Sequence, residues 1–211
     1  MTAVHRITAA GAPGPLRPAR SQAAVFRLPP VVALYLFTAV VPIWFNLGPL
    51  AMSTMRLLLI LLVVPLTLRM LAGAYGRLLA TDILFLLFTV WTIVALAVNN
   101  PDRVVELGGS TAVEFIGGYV IARAYIRTRE AFMGLCRAIG VLALGLVGFA
   151  LAESITGHPV ILEMIARLPA LSTFDVVNAD KRWGLFRAQT VFAHPIHFGL
   201  FCSVAFSLVL V

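Results

Sequence analysis

Thr81-Asp-Ile-Leu-Phe-Leu-Leu-Phe-Thr-Val-Trp91-Thr-Ile-Val-Ala-Leu-Ala-Val98 is apolar almost from end to end. Crossing a bilayer's hydrocarbon layer takes about 20 such residues of helix. Its polar punctuation agrees with that reading. Asp82 stands in the first turn, where the helix dipole favours an anion, and Asn99-Asn100-Pro101-Asp102 follows as a strong turn signal. The stretch predicts a membrane-spanning helix over 81–98.

Similar runs lie on both sides. Upstream, spans are predicted over 31–47, with Pro42 and Asn46 towards its far end, and over 55–71, with a kink at Pro65. Downstream they are predicted over 104–122, Gly-rich and carrying Glu106 and Glu114, and over 132–155. Residues 156–194 form a long polar excursion, after which Pro195 opens an apolar run that continues to Val211. The fold class is therefore all-α, a polytopic integral membrane helical bundle of about six spans, the last incomplete. The segments are a disordered basic cytoplasmic tail over 1–30, five transmembrane helices over 31–155, a periplasmic loop over 156–195, and the start of a sixth helix over 196–211. That last run lacks a closing loop, so the chain reads as a fragment or a shortened frame.

Composition excludes a soluble domain. The chain is 61% hydrophobic and 12% charged, with mean hydropathy +0.98, whereas soluble domains average about 45–50% apolar and about 25% charged. The net charge of +7 comes from 16 cations, all arginine except Lys181. They cluster at the ends of apolar runs, where they set topology and meet anionic headgroups, so no nucleic-acid partner is expected. Cys136 and Cys202 lie within or beside apolar runs and read as packing residues.

With the N-terminus inside, the inner segments hold Arg6, Arg17, Arg20, Arg27, Arg69, Arg77, Arg123, Arg127, Arg129 and Arg137. The outer ones hold Arg56, Arg103, Arg167, Lys181, Arg182 and Arg187. This bias sets the N-terminus in the cytoplasm. Three of the outer cations fall together in the long loop, against the rule, which directs attention to that loop.

The segment Arg182-Trp-Gly-Leu-Phe-Arg187-Ala-Gln-Thr-Val-Phe-Ala-His194-Pro-Ile-His197-Phe-Gly carries the candidate chemistry. Arginine grips phosphate as a bidentate fork, so Lys181, Arg182 and Arg187 suit a diphosphate clamp. Anchoring of the loop to lipid phosphates explains the same residues equally well. His194 and His197 lack a nearby third ligand for a catalytic metal, so no metal is expected. His194 reads as a donor or tuned base at a helix mouth, against the plainer role of a cap or packing group. Glu114, mid-span, is an intramembrane polar site that seeks a partner, with a buried structural hydrogen bond as the plainer reading. Its neighbour Arg123 sits at the far edge of that span. The glycines suit close helix packing, and Trp44, Phe45, Trp91 and Trp183 suit interfacial belts or bundle packing.

Two segments resemble the O-antigen ligase and polymerase superfamily of bacterial membrane glycan ligases and polymerases. One is Gly117-Gly-Tyr-Val-Ile-Ala-Arg123-Ala-Tyr-Ile-Arg127; the other is Arg182-Trp-Gly184-Leu-Phe186 with Phe192-Ala-His194-Pro195-Ile-His197-Phe-Gly199. The resemblance implies the N-terminal portion of a protein that transfers glycan from undecaprenyl diphosphate to a saccharide or lipid A core acceptor. Such a protein works in the bacterial inner membrane, on the periplasmic side, without an obligatory metal or cofactor. It implies Arg182 and Arg187 as diphosphate contacts; His194, the catalytic candidate from its place at the helix mouth, is not to be equated with the histidine of the family's later loop. The family's larger periplasmic loop normally lies further along the chain, so 211 residues alone are expected to be inactive. Two other readings stand beside this one. The first is a transporter or flippase for an anionic lipid-linked substrate, with Glu114, Pro42 and Pro65 lining a path. The second is an inactive truncated product or assembly subunit.

Overall fold

The computed structural model describes residues 27–47, 50–169, 171–177 and 181–210. The expected tail thus lies outside the described residues up to residue 26. The described chain forms helices α1 Pro30–Val40, α2 Thr54–Leu71, α3 Ala80–Asn99, α4 Gly109–Tyr125, α5 Arg129–Thr156, α6 Val160–Ala166 and α7 Pro195–Val209. A 3₁₀ turn, Pro101–Arg103, and a π turn, Val104–Gly108, lead into α4.

Four helical segments are long and apolar enough to cross a membrane: Thr54–Leu71, Ala80–Asn99, Pro101–Tyr125 and Arg129–Thr156. α1 and α7 are shorter apolar helices. The flanks of the long helices carry exposed Leu61, Leu84, Trp91 and Leu144. Water would penalise such surfaces at about 25 cal/mol per Å², whereas lipid does not. The predicted kink at Pro65 does not interrupt α2, which is assigned as one helix through that residue.

The first predicted span is corrected. Helix extends only through Val40, and residues 44–47 form strand β1, paired antiparallel with β2, Leu50–Ser53. Pro42 supplies the physical reason. It has no N–H to donate, and it pushes the preceding residue out of the helical region; Val41 is accordingly extended, with φ −79° and ψ 110°. The all-α expectation therefore fails at this hairpin, whose register runs from Trp44 opposite Ser53 to Leu47 opposite Leu50. The predicted long loop also contains one short helix, α6.

α2 and α4 run side by side in the same direction, with Arg56 beside Glu114 and Leu59 beside Gly117. A Cβ on Gly117 would lie 2.8 Å from Leu59 Cδ2, so the absent side chain is what permits this approach. α3 runs the opposite way: Phe85 stacks on Tyr119 and Phe115, and Asp82 meets the end of α4. The core gathers Val32, Leu59, Leu66, Met70, Val120 and Ile121 from α1, α2 and α4. α5 packs on α7, with Gly140 against Val209. Two ends result. One holds the hairpin, the α3–α4 turns and the segment between α6 and α7; the other holds the short α2–α3 and α4–α5 connections.

Candidate functional site

At the first end, the segment before α7 is folded onto the helices. Glu153, buried in the last turns of α5, accepts from the backbone N–H of Gln189 through Oε1 and of Thr190 through Oε2, both at 2.8 Å. A carboxylate holding two amides is charge-assisted on both oxygens, and this is how a low-dielectric site tolerates it. Gln189 extends the fastening. Its side-chain oxygen accepts from Val177 N at 2.9 Å, and its NH₂ donates to Asp175 O at 3.0 Å and Phe192 O at 3.2 Å.

The thread continues to the hairpin. Ser172 and Trp44 exchange backbone hydrogen bonds at 2.7 and 3.1 Å, and Thr173 Oγ1 donates to Pro42 O at 2.7 Å. The Trp44 ring meets Phe174 edge-on at 5.3 Å, and the Arg56 guanidinium lies over Trp44 at 4.8 Å. Arg56 Nε also donates to Glu114 Oε1 at 2.6 Å. The partner that Glu114 was expected to seek is therefore Arg56 on α2. Arg123 lies at the other end of α4.

The phosphate-clamp candidates sit on this folded segment. Arg182 and Leu185 close a two-residue turn with reciprocal backbone bonds of 2.9 and 3.1 Å. Both central residues are left-handed, Trp183 at φ 57° and Gly184 at φ 84°. The Lys181 ammonium stands 4.5 Å above the Phe186 ring, while Phe186 N donates to Ser154 O at 2.9 Å. The ring rests on Gly157, where φ is +79° and an added Cβ would meet it at 3.0 Å. Arg182 is exposed and Arg187 half-buried, and neither pairs with a carboxylate among the described residues.

His194 caps α7: its Nδ1 accepts from Ile196 N at 3.1 Å. That contact uses the Nδ1 lone pair, so the neutral ring carries its proton on Nε2 and offers a donor there. The His197 ring lies 6.2 Å away, edge-on. Among the described residues no three His, Cys, Asp or Glu side chains gather as metal ligands would.

At the opposite end, Arg123 ties three elements together. Its Nε reaches Asp82 Oδ1 at 3.3 Å, Nη1 donates to Tyr75 O at 3.0 Å, and Nη2 donates to Arg77 O at 2.9 Å. Asp82 is fully buried, accepts from Tyr119 Oη, and caps its own helix by accepting from Leu79 N at 2.7 Å. This cluster satisfies its own charges and reads as a structural clasp.

Sequence reasoning missed Glu153, Gln189 and the Asp82–Tyr119–Arg123 cluster as partners. Glu153 carried one usable signal, a carboxylate inside the last turns of an apolar run, where an ion is costly without partners. Nothing local marked Gln189 and Thr190 as those partners.

Fold and site together define a predominantly helical protein with four membrane-length apolar helical segments and a folded basic segment at one end. Comparison of the chain with known protein families, with curated proteins and with solved structures gives no match.

Proposed function

We propose that the chain is part of a multi-pass membrane glycosyltransferase of the ligase and polymerase type, in the bacterial inner membrane with its N-terminus in the cytoplasm. It would move glycan from undecaprenyl diphosphate to a saccharide or lipid A core acceptor. The observation that supports this reading is a basic segment folded by Glu153 and Gln189, which leaves Arg182 and Arg187 without carboxylate partners among the described residues. In the transfer, the sugar C1–O bond to the diphosphate breaks, a bond from the acceptor oxygen to C1 forms, and the acceptor's hydroxyl proton passes to the departing diphosphate. Negative charge grows on the leaving diphosphate. The fastened backbone holds the two arginines near one place before the reaction, which lowers the reorganisation needed to meet that charge. His194, held by its capping bond, would donate from Nε2 to a developing oxyanion.

The transporter reading is weaker at Glu114, because Arg56 occupies that carboxylate at 2.6 Å. The test is Arg182→Ala, with Arg182→Lys beside it, in cells whose only copy of the gene carries the change. The expected outcome is loss of the glycan ladder on gels at unchanged protein level in the membrane, partly restored by lysine. A wild-type ladder from Arg182→Ala rejects the assignment.

A further inference from the structure

We propose that the Arg182–Leu185 turn is a membrane-interface hook: Trp183 and Leu185 insert among phospholipid headgroups, and, while no diphosphate substrate is bound, Lys181 and Arg182 meet their phosphates. The inference rests on the reading that the long apolar helices span a bilayer.

Four observations carry it. The first is backbone strain spent on an exposed indole. A turn with both central residues left-handed normally takes Asn-Gly, because a Cβ at the first position crowds the following carbonyl. Here Trp183 takes that position at φ 57° and is fully exposed. The fold gains no burial from the ring. Indole is amphipathic, with one N–H and a broad apolar face, and it concentrates at the bilayer interface.

The second is rigidity. Reciprocal bonds between Arg182 and Leu185, at 2.9 and 3.1 Å, close the turn and hold the indole at its tip. The third is charge. Lys181 and Arg182 are exposed beside the indole and pair with no carboxylate among the described residues, which complements an anionic headgroup layer. Leu185, on the other side of the turn, is also exposed.

The fourth is depth. The base of the turn rests on the last turn of α5 through Phe186, which bonds Ser154 O and lies against Gly157. α5 has 28 residues, about 42 Å of helix against about 30 Å of hydrocarbon. Its final turn therefore stands at headgroup level. Trp183 precedes Phe186 by three residues, a reach of at most about 10 Å, so the indole remains within range of that layer.

The experiment uses the whole chain with Trp44→Phe and Trp91→Phe, leaving Trp183 as the sole fluorophore. It is reconstituted in phosphatidylcholine–phosphatidylglycerol vesicles brominated either near the headgroup or near the chain ends. Vesicles free of polyprenyl diphosphate make bulk phospholipid the sole source of phosphate. The expected result is blue-shifted emission, quenched about twofold more by the shallow bromines than by the deep ones, as an interfacial indole requires. Lys181→Gln with Arg182→Gln should weaken that quenching in phosphatidylglycerol and not in pure phosphatidylcholine. The same signal is read as the difference between the wild-type chain and Trp183→Phe, which leaves Trp44 and Trp91 in place. A companion variant retaining only Trp91, exposed on α3, reports on spanning. If Trp91 is quenched by deep bromines while Trp183 emits as in water, the hook is wrong and the tip awaits a sugar or protein. If neither is quenched, the membrane reading fails and the hook falls with it.

Discussion

Replacing Glu153 by alanine removes the acceptor for two buried amides and opens the segment ahead of α7. The two bonds, both 2.8 Å and made to a buried carboxylate, are worth about 1.5–3 kcal/mol each when the partner is charged. Part of that is offset, since the alanine variant no longer desolvates an ion. A net loss of about 2–4 kcal/mol remains, acting on local opening more than on the whole helix packing. At a factor of ten per 1.4 kcal/mol, the open population of the segment rises about 30- to 700-fold.

Trypsin reads this directly in detergent. Cleavage after Arg187 requires residues 188–190 to enter the protease, and Gln189 and Thr190 are buried beneath Glu153. The bonds after Lys181 and Arg182 lie at an exposed turn and serve as controls for access. Where opening is fast compared with cleavage, the rate at Arg187 follows the open population. Glu153→Gln should fall near alanine rather than near wild type. An amide offers one oxygen to one N–H and turns its own NH₂ towards the other, donor against donor. The reasoning is refuted if Glu153→Ala leaves cleavage after Arg187 at the wild-type rate while the control bonds are cut normally.

Two further predictions concern the packing that positions this segment. Arg123→Ala leaves the fully buried Asp82 with only Tyr119 and Leu79 N as donors and releases the carbonyls of Tyr75 and Arg77, and should cost about 1.5–3 kcal/mol of stability, as loss of a hydrogen bond to a charged group does. Thermal unfolding in detergent measures it; a variant within experimental error of wild type would show that the clasp carries no net stability. Gly117→Ala drives a Cβ to 2.8 Å from Leu59 Cδ2 and should cost about 1–3 kcal/mol by overpacking. Leu59→Ala in the same chain should make the substitution at Gly117 nearly neutral, so full additivity of the two losses would contradict the assigned contact.

The apolar helices were legible because lipid-length hydrophobicity is a property of consecutive residues. The helix read from 81–98 became Ala80–Asn99, and that read from 55–71 became Thr54–Leu71. The hairpin was less legible, because Trp44–Leu47 is apolar enough to extend a span, and the effect of Pro42 on Val41 was outweighed by composition. The candidate residues could be named by type and not by partner. Arg182, Arg187, His194 and Glu114 could be named from where their charges fell. Their fastenings are another matter: Glu153 to Gln189 and Arg56 to Glu114 cross 36 and 58 residues. Only the tertiary arrangement of α2, α4 and α5 brings such pairs together.

The two buried carboxylates among the described residues, Asp82 and Glu153, are satisfied in different ways. Around Asp82 the charges of one clasp are consumed internally, since Arg123 is spent on one carboxylate and two carbonyls. A structural cluster behaves this way, because each unsatisfied group away from water costs free energy. At the other end Glu153 binds backbone amides of the basic segment rather than its arginines. The carboxylate thus fixes the segment's shape without neutralising its side chains. Had Glu153 paired with Arg187 instead, the Gln189 and Thr190 amides would lose their acceptor and one of the three positive charges would be neutralised. Holding the backbone with the only buried carboxylate on α5 leaves Lys181, Arg182 and Arg187 without a carboxylate partner among the described residues, which is what the proposed phosphate contacts need.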